Sequence, residues 1–257
     1  MASANPQNGT IAIIACDVLR DEVNALTRDQ LCVAATIFLR QGLHNDPPIL
    51  RKELQVAVND VEERFPEVQH IALVYGLCSR GIEGVSTCRC ELIVPRAHDC
   101  ITLLLGDRHV YEEQSRLYPG TYWYSPGWNR CHLPPGPARF EAAAQEYRKR
   151  FSEDDVQYLL ETEQAWMQHY SRAAYVELPA ATSEGEAEHT KDCADWLKWK
   201  FDRFTGDASL LRDLVLGGWD PDRFLILSPG QTATLSADDQ IIRPQDVGIH
   251  RSGKSGG

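Results

Sequence analysis

The sequence predicts an α/β fold, a mostly parallel sheet flanked by helices. Three observations predict it. Short β-branched or apolar runs recur along the chain, segments with helical spacing separate them, and Gly, Pro or polar turn residues close each run.

In order, "TIAIIAC" (10–16) reads as a buried strand, and "DVLRDEVNAL" (17–26) as a helix opened by Asp17. "LCVAATIFL" (31–39) is a second strand and "RQGLHNDPP" (40–48) a turn. Pro47 and Pro48 suit the first turn of the amphipathic helix that follows. "HIALVYG" (70–76) is a third strand, running into a loop that holds Cys78. "CELIVPR" (90–96) is a fourth, and "HDCITLLLG" (98–106) starts a short helix. Residues 118–137, rich in Pro, Gly and aromatics, are expected to form an ordered flap or wall. Beyond them come one or two helices over 138–170, a strand over 173–179, a helix over 184–204, another over 208–219, and a strand in "RFLILSPG" (223–230). Residues 10–240 read as a single α/β domain, with a disordered N-terminus over 1–9 and a flexible tail over 241–257. The loose recurrence of the strand–loop theme admits two similar lobes.

Hydrophobic residues make up 43% of the 257, which supports a real core. The formal charge of −11 repels phosphate backbones, so nucleic acid is not an expected partner; a small-molecule substrate is. No stretch approaches the roughly 20 apolar residues of a membrane helix, so no membrane partner is expected. "MASANPQNGT" lacks the basic start and apolar run of a secretory signal, and the expected location is the cytoplasm. There the eight cysteines read as free, metal-bound or catalytic thiols.

Those cysteines and the histidines fall in a pattern. Cys16 ends the first strand, His44 follows the second, Cys78 the third, and His98 and Cys100 the fourth. Open parallel sheets bind ligands beyond the carboxyl ends of their strands, so four segments deliver Cys and His side chains to one rim. Thiolate and imidazole suit zinc, and with less selectivity iron, cobalt or nickel. The expected ligands are Cys78, His98, Cys100 and Cys16, with His44 as a further ligand or general base. Each of these residues also has a bland reading, as a buried thiol or a helix-capping side chain. Asp99 is expected to cap the helix or to orient a neighbour in the catalytic set, and Arg80 and Arg96 to hold an anionic substrate group. Tyr122, Trp123 and Trp128 either wall a cofactor pocket or pack into the core. Cys88 and Cys90 read as a structural pair.

The segments "LHNDPP", "YGLCSRGIEG", "IVPRAHDCITLLLGD", "YPGTYWYSPGW" and "LGGWDPDRFLILSPG" resemble a bacterial and archaeal family, domain of unknown function 1638, over residues 11–230. The resemblance implies a cytosolic α/β protein, in many cases encoded near corrinoid-dependent methyltransferases, and assigns no activity. Typical members carry glycine where Ser79 stands. A local likeness links "HDC" to the zinc site of corrinoid:thiol methyltransferases, although Cys78 lies upstream here, where that pattern has its second cysteine downstream. The expected function is a zinc-dependent enzyme that activates a thiol or transfers a methyl group, with a corrinoid or methyltransferase protein as partner. Three rival readings are a binder or carrier of a metal, corrinoid or tetrapyrrole, a metal-free enzyme using a Cys nucleophile with a His base, and an acidic scaffold protein whose cysteines are core.

Overall fold

The computed structural model describes residues 9–247. Residues 1–8 and 248–257, most of the expected N-terminus and tail, lie outside the described residues. Chain contacts divide the described residues, read from sequence as one domain, into two compact units: 9–15, 30–98 and 213–247 in the first, and 16–29 and 99–212 in the second.

The first unit holds a five-stranded sheet. Strands β1 (Thr10–Cys16), β2 (Val33–Leu39), β3 (Val68–Val74), β4 (Glu91–Pro95) and β8 (Phe224–Leu227) lie in the order β2-β1-β3-β4-β8. β3 pairs parallel with both β1 and β4, whereas β8 pairs antiparallel with β4. The interior strands are apolar on both faces and nearly continuously buried, as a covered parallel sheet requires. Helix α2 (Pro47–Arg64) buries Leu50, Leu54, Ala57, Val58 and Val61, a stripe at helical spacing. It begins where the sequence predicts, with Asp46 accepting from the Ile49 amide at 3.2 Å and Pro at its first positions.

β9 (Gln231–Leu235) and β10 (Ile242–Asp246) form an antiparallel hairpin. All of β10 lies in the span 241–257 expected to be tail. Its pairing with β9 orders it, and Pro244 is tolerated because the hairpin has only two strands.

The second unit is built on a three-stranded parallel sheet, β5 (Thr121–Tyr124), β6 (Arg172–Glu177) and β7 (Lys200–Thr205), with β6 central. Two of these strands correct the sequence reading. The expected flap contains β5 and the short helix α5 (Pro126–Cys131), because "TYWY" buries its aromatics against β6 rather than standing free. The helix expected over 184–204 is α8 (Glu184–Leu197), which stops where Lys198 takes a left-handed conformation, φ 59°; the chain then enters β7. At residues 17–19 a 3-10 turn precedes α1 (Arg20–Thr27), so Asp17 does not open the α-helix. Gly127 lies so close to the Val18 carbonyl that an added Cβ would stand 1.7 Å from its oxygen, which explains glycine in α5.

Tyr124, Tyr175 and Trp199, with Tyr122, Trp128, Trp166 and Tyr170 packed against them, form the aromatic core of this unit. Arg172 is 5% exposed and sits between the rings of Tyr118 and Phe204 while its Nε donates to Asp202 at 2.6 Å. Among the described residues no helix is long and apolar enough to cross a membrane.

Candidate functional site

Beyond the carboxyl ends of β3 and β4 two loops of the first unit run side by side. The Leu77 amide donates to the Ala97 carbonyl at 2.8 Å and the Cys78 amide to the His98 carbonyl at 3.0 Å. These bonds carry strand-like pairing past the strands and fix the Cys78 backbone against that of His98.

At Cys78 the chain does something costly. Cys78, Ser79 and Arg80 have φ values of 45°, 56° and 68°, three successive non-glycine residues in the left-handed region. Each such residue costs about 1–2 kcal/mol. The turn is held from several sides. Gly81 N donates to Cys78 O at 3.0 Å, and the Arg51 guanidinium from α2 donates to the carbonyls of Arg80 and Glu83. Gly81 presses on Leu50, where an added Cβ would come within 2.4 Å of a methyl. Glu83 accepts from Arg80 Nε at 2.9 Å and from the Leu235 amide at 2.8 Å. Burial alone would raise its carboxyl, but these bonds outweigh that and hold it below the usual carboxylate value. Backbone strain sustained by so many neighbours is characteristic of functional positions.

The 3-10 turn Leu43–Asn45 packs against this Cys78–Arg80 turn and carries His44 there. The first unit therefore gathers the loops of His44, Cys78 and His98. Cys78 and His44 are half-buried, and His98 is exposed.

Other expected site residues have different surroundings. Arg96 is committed to the fold: Nε donates to Pro221 O at 3.0 Å, and Nη1 to Gln240 O at 3.1 Å and Ile242 O at 2.6 Å. Those three bonds give Arg96 a structural role. Arg80 faces Glu83 in an ion pair.

In the second unit, Cys16 is the buried last residue of β1 and Cys100 the half-buried first residue of the six-residue helix α3 (Cys100–Leu105). Asp99, not His98, caps that helix, accepting from Ile101 N at 3.0 Å and Thr102 N at 3.2 Å. Its other oxygen accepts from Tyr111 OH at 2.9 Å, so capping and this bond account for the carboxylate. Burial, then the Asp99 charge, raises the Tyr111 hydroxyl far above its ordinary value and keeps it a proton donor. Tyr122 and Trp128 belong to the aromatic core. Trp123 lies 5.5 Å from Phe204 and 6.4 Å from Tyr111, centroid to centroid. Tyr122 and Trp128 thus pack against the core, and Trp123 is half-buried outside that cluster.

Cys88 and Cys90 have a structural explanation. Glu62 accepts from the amides of Cys88, Arg89 and Cys90, pinning the loop, and the Cys90 thiol donates to Val68 O at 3.3 Å. Burial pushes the Cys90 thiol up to about 11. Among the described residues no group of three or more His, Cys, Asp or Glu stands where it would hold one metal ion.

Sequence reasoning missed Glu22. Its side chain is 1% exposed, and neither carboxylate oxygen has a hydrogen-bond partner among the described residues. Burial above all raises its carboxyl to about 7. The signal was present: Glu22 stands three residues after Leu19 and four before Leu26, on the apolar side of α1.

A family model described as "Protein of unknown function (DUF1638)" matches residues 38–215. That span contains His44, Cys78, His98, Cys100 and four of the five quoted segments; the fifth, 216–230, lies beyond it. No curated protein and no solved structure matches the chain.

Proposed function

The chain belongs to this family of unknown function, and on that premise we propose that it is a thiol-dependent enzyme centred on Cys78. Cys78 acts as a thiolate. An imidazole, His44 or His98, takes the thiol proton, and the sulfur attacks an electrophilic carbon of a small substrate such as a methyl donor. A carbon–sulfur bond forms as the bond from that carbon to its leaving group breaks. The observation that carries this reading is the left-handed turn Cys78–Arg80, bonded to the His98 carbonyl and packed on the turn of His44. It holds a half-buried cysteine beyond the carboxyl end of β3 in a strained backbone conformation of the kind that clusters at functional positions.

The donor types also suit zinc. The described residues bring no three such side chains around one point, so no step is derived through a metal.

The test is alkylation of anaerobically purified protein with iodoacetamide at pH 7, read by peptide mass, alongside elemental analysis. Cys88, which is exposed, serves as the internal reference thiol. The reading expects Cys78 to react roughly tenfold faster than Cys88 despite lower exposure, and His44→Gln or His98→Gln to remove the advantage. A protected Cys78 with stoichiometric zinc that Cys78→Ser abolishes would make the thiol a ligand instead. A slow Cys78 in metal-free protein would end the proposal.

A further inference from the structure

Arg80 ends the left-handed turn that begins at Cys78, and its side chain is anchored although most of it is exposed. Its Nε donates to Glu83 Oε2 at 2.9 Å. Glu83 is fixed from the other side, where Oε1 accepts from Leu235 N at 2.8 Å and from the Thr234 hydroxyl at 3.4 Å. Both donors belong to β9, and the Thr232 hydroxyl of that strand accepts from the Gly84 amide at 2.8 Å. The backbone is held as well, since the Arg51 guanidinium donates to the carbonyls of Arg80 and Glu83. A surface arginine ordinarily samples many rotamers. This one is pinned at its Nε and at its carbonyl.

The anchoring leaves the outer edge of the fork unused. Among the described residues Nη1 and Nη2 of Arg80 donate no hydrogen bond, and the exposed Ser79 hydroxyl, one residue nearer Cys78, makes none either. Two parallel N–H groups on one planar edge match two oxygens of a carboxylate or phosphate. The local charge favours such a guest. Arg51 and Arg80 bring two positive charges to the turn, and Glu83 one negative. The chain as a whole carries −11 and repels anions, and this turn counters that repulsion beside the thiol.

We infer that the substrate of Cys78 is a small molecule carrying a carboxylate or phosphate, and that Arg80 holds this oxyanion with Nη1 and Nη2 while the Ser79 hydroxyl donates to it. The inference rests on the reading of Cys78 as the reacting thiol. Consecutive Cα atoms are about 3.8 Å apart, so those of Cys78 and Arg80 stand at most about 7.6 Å apart, and one small molecule spans both. Glu83 touches no substrate. It is a positioning residue, fixing the guanidinium through Nε and tying it to β9.

The test compares two reagents of one shape. Iodoacetate and iodoacetamide each alkylate a thiolate with loss of iodide, and they differ only in carboxylate against amide. Rates at Cys78 of the full chain are read by peptide mass at constant ionic strength. The iodoacetate-to-iodoacetamide ratio is then set against that of N-acetylcysteine. The ratio cancels changes in thiol acidity, which both reagents feel alike. Cys78 is expected to show a ratio roughly tenfold above the reference, about what one charge-assisted contact supplies. Arg80→Gln should return it to the reference, and Glu83→Gln should lower it part-way. A wild-type ratio at the reference, or one that Arg80→Gln leaves raised, overturns the inference. If Cys78 is inert to both reagents, the thiol reading falls and melting decides the anion site. Tens of millimolar inorganic phosphate or acetate, against chloride at equal ionic strength, should then raise the melting midpoint of the wild type and not of Arg80→Gln, and the stronger of the two names the oxyanion. Equal midpoints in both proteins would remove the anion site too.

Discussion

The amide of Cys78 donates to the carbonyl of His98 across 3.0 Å, tying the loop after the third strand to the loop after the fourth. One residue on, Ser79 is held at φ 56°. This pair of facts ties the chemistry of the site to the stability of its turn, and both can be measured.

Ser79→Gly should stabilise the protein. A left-handed serine costs about 1–2 kcal/mol, and glycine's greater unfolded-state freedom returns part of that, leaving a net gain of about 0.5–1 kcal/mol. Ser79→Val should lose about 1 kcal/mol or more, because a β-branched side chain tolerates this conformation worst. Urea denaturation midpoints at constant slope would check both.

Glu22 should make stability fall as pH rises. Its carboxyl is raised to about 7 in the folded chain against 4.5 for an ordinary glutamate. The folded state therefore holds the proton more tightly between those values. The contribution is fully present below pH 4.5, is lost progressively as pH rises to about 7, and is flat above. A shift of that size corresponds to about 3 kcal/mol. Glu22→Gln, which carries no titrating proton, should remove this part of the pH dependence. Denaturation of both proteins from pH 5 to pH 8 would show it; parallel curves would place the proton elsewhere.

Arg96→Ala should unfold the protein more easily, by about 2–4 kcal/mol, since it strands three carbonyls that the guanidinium now satisfies. Arg80→Ala, at an exposed ion pair, should cost about 0–1 kcal/mol. If Arg96→Ala left the melting midpoint unchanged, the structural role assigned to it would be wrong.

Thiol reactivity should divide by burial. The Cys90 and Cys193 thiols are each pushed up to about 11, chiefly by desolvation, and should resist alkylation at pH 8 in the folded state while reacting fully in denaturant. Peptide mapping after timed quenching would separate them from Cys78 and Cys88.

The parallel core was legible because β-branched runs such as "TIAIIAC" and "HIALVYG" admit few other structures. The loops of His44, Cys78 and His98 were legible for the same reason, since strand ends locate them. β5 was not, because aromatic residues between Pro and Gly look like a wall until a neighbouring strand claims them. β7 was hidden because Lys198, rather than a glycine, takes the left-handed position that ends α8. The turn at Cys78–Arg80 left no mark either, for the same reason. Tertiary contacts from Arg51 and Leu50, far off in sequence, impose it.

The antiparallel strand β8 closes the edge of β4, yet residues 96–223 separate the two in the chain. During synthesis β4 leaves the ribosome long before its partner exists. All of the second unit's 99–212 segment must be made while that edge stands open. The first unit's sheet is thus completed only near the end of translation, and its exposed interval invites pairing with the wrong strand. A chain cut at residue 215, where the family match ends, would carry β4 without β8 permanently. It should aggregate, even though His44, Cys78 and His98 are all present.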